Sequence, residues 1–180
     1  MFARFIAAAV AVLALSAPAF AADTENLQTF REVQKQVLRY THFTIFDNVD
    51  TQVNDGVVTL TGQVTMPYKA NDIEKRVAKA AGVRQVINRL TVLPVSQFDD
   101  QLRLRIARAI YTNPNFSIYG SMVNPPIHVI VDHGHVTLEG VVNSDLDKQV
   151  ARTIASSFPA FSVKNNLKTD AEVKAELEKL

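Results

Sequence analysis

The stretch Val58-Thr59-Leu60-Thr61-Gly62 recurs 78 residues later as Val136-Thr137-Leu138-Glu139-Gly140. A turn precedes each copy, Asn54-Asp55-Gly56 in the first and Asp132-His133-Gly134 in the second. Working outward, Val86-Ile87-Asn88-Arg89-Leu90 matches Val163-Lys164-Asn165-Asn166-Leu167 at an offset of 77. Upstream, Val33, Val37, Phe43 and Ile45 match Ile106, Ile110, Phe116 and Ile118 at an offset of 73. The order is kept and the offsets drift through small gaps, the largest being five extra residues between Gly120 and Pro126. A repeat of this kind sets the architecture before any local element is assigned.

Each copy carries the same succession of periods. Leu27, Phe30, Val33, Val37 and Tyr40 recur at helical spacing, as do Leu102, Ile106, Ala109 and Ile110. Ser96 followed by Asp99 reads as a capping-box-like helix start. Strand alternation follows, through Val49, Thr51 and Val53 into Val58, Leu60 and Val64, and through Ile127, Val129 and Val131 into Val136, Leu138 and Val142. Gly56 and Gly134 suit two-residue turns that need positive φ. Gly62 and Gly140 fall inside strands, where glycine marks a bulge or the close approach of another backbone.

A second helix runs through Ile73, Val77, Ala80 and Ala81, and through Val150, Ile154 and Phe158 in the copy. A last strand carries Val83, Val86, Leu90 and Val92, answered by Phe161, Val163 and Leu167. The strand-helix-strand step places that last strand parallel to a partner. The expected fold class is α+β: two tandem α-β-β-α-β modules, each a three-stranded mixed sheet with two helices on one face. The boundaries read 24–93 and 96–169, with a short C-terminal helix over 170–180. A module of about 70 residues is marginal alone, and the Pro94-Val95-Ser96 joint is short, so the two are expected to touch each other or something else.

Composition narrows the function classes. Arg4 opens an apolar run from Phe5 to Leu15, closed by Ala19-Phe20-Ala21. That pattern is a secretory signal over residues 1–21, too short to span a bilayer. Cleavage near Ala21 removes one of 19 basic residues and leaves 18 against 18 acidic. A neutral mature chain is no general nucleic-acid binder. With no cysteine there is no disulfide, no thiolate chemistry and no lipid-modified N-terminus. The expected product is exported to the periplasm, carries no transmembrane span, and is not a lipoprotein.

The glycine-turned hairpin with Val-Thr-Leu-x-Gly-x-Val, the alanine-bearing helix after it, and the ending Gly82-Val83-Arg84-Gln85-Val86-Ile87-Asn88-Arg89-Leu90 together resemble the BON domain. The second copy departs where Pro159-Ala160 replaces Gly-Val and where the insertion precedes its hairpin, but it keeps Val163, Asn165 and Leu167. The resemblance implies an α-β-β-α-β fold and a non-enzymatic bacterial envelope protein. It also implies links to osmotic and envelope stress, phospholipid binding and upkeep of outer-membrane proteins.

No nucleophile elbow or phosphate-cradling loop is present, and no cofactor or metal is expected. His128, His133 and His135 invite a metal reading, but the hairpin register pairs His128 with Glu139 and Asp132 with His135, separated along an outward face. Two surfaces are candidates for binding. Leu104, Arg105 and Arg108 share the outer face of one helix and suit an anionic phospholipid surface. The equivalent face of the first module carries Glu32, Lys35 and Arg39, an ordinary solvated mix. Alternatively Leu104 packs on the first module or on the C-terminal helix. Tyr119, Met122 and Val123 lie in a proline- and glycine-bearing loop that reads either as an interaction tip or as a tolerated insertion. Partners are thus anionic lipid or envelope proteins, the alternative being a periplasmic adaptor with no lipid binding.

Overall fold

The computed structural model describes residues 19–177, with side chains from 24 to 176. The expected export signal therefore lies outside the described residues, apart from 19–21, which open the first helix. The first module runs α1 (Ala19–Leu38), β1 (Asn48–Asn54), β2 (Val57–Val64), α2 (Pro67–Val77), β3 (Gln85–Asn88) and β4 (Thr91–Val92). The second repeats it as α3 (Gln97–Tyr111), a 3-10 turn at Pro114–Phe116, α4 (Ser117–Gly120), β5 (Ile127–Asp132), β6 (His135–Val142), α5 (Asp145–Ser156), β7 (Ser162–Asn165) and β8 (Lys168–Thr169). A short helix α6 (Asp170–Leu177) follows.

The architecture is α+β, with β1 antiparallel to β2 and both β3 and β4 parallel to β2. The second sheet repeats this around β6. The anticipated single last strand is broken in two, for a reason carried by one asparagine. Asn88 turns its amide inward, donating to Ala70 O and Glu74 Oε2 of α2, while its Oδ1 accepts from Leu90 N. Asn165 repeats this with Lys148 O and Leu167 N. The asparagine of the ending motif thus ties the last strand to the helix before it, and the ladder resumes three residues later, at Thr91 and Lys168.

The two hairpins turn alike. Asp55 and Gly56 have φ of 46° and 73°, and His133 and Gly134 have 48° and 77°. Both central residues are left-handed, the geometry that matches strand twist. The strand glycines meet a tighter constraint. At Gly140, φ is +120° and a Cβ would lie 1.8 Å from Pro126 O. At Gly62 the φ is +115° and the distance 2.4 Å, to Asn48 O. Neither backbone can yield without opening the hairpin at its far end.

Each module has its own apolar core. Val33, Val37, Leu60 and Ile73 centre the first, and Ile106, Ile110, Phe116 and Leu138 the second. The modules meet through the run between α1 and β1. Ile45 and Phe46 of that run pack on the second module's core. Ile45 O accepts from Val129 N at 2.8 Å on the outer edge of β5.

Gly140→Ala is expected to cost about 3 kcal/mol or more, since strain and overlap with backbone act together. Gly62→Ala should cost somewhat less. Urea denaturation of the two variants checks both the loss and the order.

Candidate functional site

The residues expected to carry binding separate into different surroundings. Leu104 is 57% exposed, and Arg105 and Arg108 are exposed on the same face of α3. Leu104 therefore packs on neither the first module nor α6. The Arg105 guanidinium lies 5.3 Å over the Phe158 ring, which steadies it beside the leucine. The counterparts in α1 are Arg31, Glu32 and Lys35, with Lys35 and Glu32 paired at 3.4 Å. An exposed apolar residue among the charges of this face belongs to the second module alone.

The Tyr119 to Pro126 segment is only partly a tip. Val123 is 97% exposed and Met122 is exposed, but Tyr119 is buried at 3%. Tyr119 is not an interaction residue on this geometry. Its hydroxyl accepts from Asn143 N at 2.9 Å and donates to Asp147 Oδ2 at 3.0 Å. The ring stacks on Phe116, which explains why an inserted stretch begins with a short helix rather than open loop.

The three histidines have separate employments. His133 bonds Asp132, and His135 Nδ1 bonds Ser162 Oγ at 2.8 Å. His128 points away from its own module's helices yet is not on a solvated face, because the first module covers it. Its Nδ1 lies 2.6 Å from Asp47 O, and a carbonyl only accepts, so Nδ1 carries the proton. Among the described residues no three His, Asp or Glu side chains converge as metal ligands would.

Sequence reading missed Asp47. Its carboxylate is fully buried and accepts from five donors: Thr44 N and Oγ1, Thr65 N and Oγ1, and Lys69 Nζ at 2.7 Å. Burial on its own would raise this carboxyl's pKa. The Lys69 ammonium, the Thr65 amide and the Thr44 hydroxyl outweigh burial and hold it below the ordinary 3.8. The second module solves the same local problem differently. Thr65 and Asn143 are equivalent, and Asn143 N finds the Tyr119 hydroxyl in place of a carboxylate. Asp147 stands where Lys69 does, so the charged pair becomes a hydroxyl-to-carboxylate bond.

A groove of about 1010 Å³ lies between the modules. Leu27, Phe30 and Leu38 of α1 and the strand β1 form one side. Pro126, Glu139 and Val141 form the other. Burial raises the Glu139 carboxyl's pKa, an amide bond from Asn166 opposes this, and the Asp50 charge across the groove adds to the rise.

Asp47→Ala strands the Lys69 ammonium and two backbone amides in the interior, so a loss of about 3–5 kcal/mol is expected. Lys69→Met should cost less, because four donors still hold Asp47. Urea titration of both variants tests that ordering. Because the folded Asp47 pKa is depressed, its contribution is present above pH 3.8 and fades as pH falls through the folded value. Acid unfolding of the first module is expected below about pH 4.

His128 is shifted as well. Burial lowers its pKa below 6.5, against the raising pull of the Asp47 carbonyl and carboxylate. The neutral ring's contribution is therefore complete above pH 6.5 and is lost as pH falls toward the folded value. Protection of the Val129 amide, its exchange rate compared with the intrinsic rate at the same pH, is expected to fall as pH drops below 6.5 in the native chain. In His128→Ala that protection should be low throughout.

Comparison with known proteins fits this double unit. The BON domain profile matches residues 29–94 and again 98–177. No curated protein matches the chain. Among solved structures, the C-terminal domain of CdsD, described as a structural protein of the type III secretion system of Chlamydia trachomatis, matches with 12% identity and a TM-score of 0.27. That match covers 77% of this chain and 96% of that one. A second CdsD structure from the same organism gives 13% identity and a TM-score of 0.28, over 83% of this chain and 96% of that one. The two profile matches take in most of the sequence, each with one hairpin, one crossover helix and one inward asparagine: the chain belongs to the BON-domain family, as a tandem of two copies.

Proposed function

We propose that this protein is a non-enzymatic, exported component of the bacterial envelope that rests on anionic phospholipid surfaces through the outer face of α3. The exposed Leu104 beside the exposed Arg105 and Arg108 on one face of α3 carries this reading. BON-domain membership supports the envelope placement, and the basic-apolar-small pattern of residues 1–21 supports export. Among the described residues no helix is long and apolar enough to cross a membrane, so the attachment rests on surface contact.

Magnitudes decide how firm such attachment can be. A basic residue near an anionic surface contributes about 1 kcal/mol. One inserted leucine adds about 2 kcal/mol. Two arginines and the leucine together reach about 4 kcal/mol, which corresponds to a millimolar contact. A single molecule then visits the surface, and lasting residence needs several molecules or a second contact.

Cosedimentation with vesicles of phosphatidylglycerol and phosphatidylethanolamine tests the reading. The chain is expected to pellet at low salt, to release as salt screens the arginines, and to ignore phosphatidylcholine alone. Arg105→Gln with Arg108→Gln should weaken association by about 30-fold. Absence of pelleting at low salt removes the lipid role.

A further inference from the structure

The two modules share a fold but treat their first strand differently. In each hairpin the residues beside the turn bond to each other, so every second residue of the first strand turns its N–H and C=O outward. On β5 those residues are Ile127, Val129 and Val131, and each has at least one of its two outward groups engaged. The Tyr111 hydroxyl donates to Ile127 O at 2.6 Å and accepts from Ile127 N at 3.0 Å. Val129 N donates to Ile45 O, and Val131 O accepts from Arg103 Nη2 at 3.2 Å.

On β1 the equivalents are Val49, Thr51 and Val53, and their outward backbone groups have no protein partner among the described residues. The repeat shows why. Tyr111 and Arg103 fall on Leu38 and Phe30 at the 73-residue offset of the first helices. Two polar side chains that seal the edge in the second module are replaced by two apolar ones that line the groove. The edge is therefore open where the wall beside it is apolar, and it is continuous with Phe43 and Ile45 of the junction between the modules.

We propose that the open edge of β1 and the groove beside it bind an extended segment of another polypeptide, added as a further strand. Alternate outward groups at 49, 51 and 53 present the strand period, and a neighbouring strand lies about 4.8 Å away. Side chains of the added strand would alternate between two walls. One set meets Leu27, Phe30 and Leu38. The other meets Asp50 and Glu139, neither of which is ion-paired among the described residues. The segment that fits alternates apolar residues with polar ones that include a lysine or arginine. This site is separate from the α3 face and stands whether or not that face meets lipid.

The test is amide hydrogen exchange on the full chain, with and without a blocked nine-residue peptide that alternates valine with threonine and lysine. Exchange at Val49, Thr51 and Val53 is expected to slow by about tenfold or more when the peptide saturates. The same peptide N-methylated on its bonding edge is expected to bind at least about tenfold more weakly, a control that leaves the protein untouched. Phe30→Arg with Leu38→Tyr, which imports the second module's seal, should lose the peptide to the same degree. Saturating peptide with no slowing at these amides overturns the proposal, as does equal binding of the N-methylated peptide. Slowing that arises without peptide as the chain dimerises also overturns it, and assigns the edge to a second copy.

Discussion

Asp47 is the interaction on which the first module and its attachment both depend. One carboxylate holds the run after α1 through Thr44, the end of β2 through Thr65 and the first turn of α2 through Lys69. Its own carbonyl then accepts from His128 across the junction. Three elements and a second module converge on one residue because a buried charge is tolerable only when its lone pairs are filled. That requirement fixes where the chain must turn before β1, and so where Ile45 and Phe46 are delivered.

The second module keeps the geometry and changes the chemistry. Tyr119 and Asp147 replace Asp47 and Lys69, and Asp99 takes the place of Asn26. Asn26 Oδ1 accepts one amide from the first hairpin turn, at Asp55. Asp99 accepts two from the second, at His133 and Gly134. Substitutions of this kind are legible only as pairs of residues distant in sequence, which is why the repeat survives in turns and strands while its polar anchors diverge.

The same contrast explains what the sequence disclosed. Strand alternation, turn glycines and helical spacing are local, and they announced two modules, a parallel last strand and, at Gly62 and Gly140, a bulge or a close backbone approach, of which the structure shows the approach. The broken last strand escaped notice because Asn88 reads as a strand residue until its amide is seen bonding α2. Leu104 was legible as an outward leucine, since helical spacing alone puts it opposite Ile106 and Ile110. Tyr119 was not: a tyrosine beside glycine and prolines suggests a loop, and only the distant Asn143 and Asp147 make it a core residue. Asp47 carries little local sign, for only Thr44 is near it in sequence, and Thr65 and Lys69 stand 18 and 22 residues away.

The borrowed seal on β5 also bears on how this protein can be taken apart. Val129 N and the apolar surface around it are covered by residues that belong to the other module. Ile130, on the side of the sheet away from its own helices, is buried, while its counterpart Gln52 is exposed. A cut at the Pro94–Ser96 joint is therefore unequal. The first fragment keeps its core and loses the His128 bond to Asp47 O and the cover over Ile45 and Phe46, whereas the second leaves with Val129 N unpaired in its strand edge and Ile130 bare. The two copies are not interchangeable beads on a string: the second has grown to need the first as its shield, and their order along the chain is part of the fold.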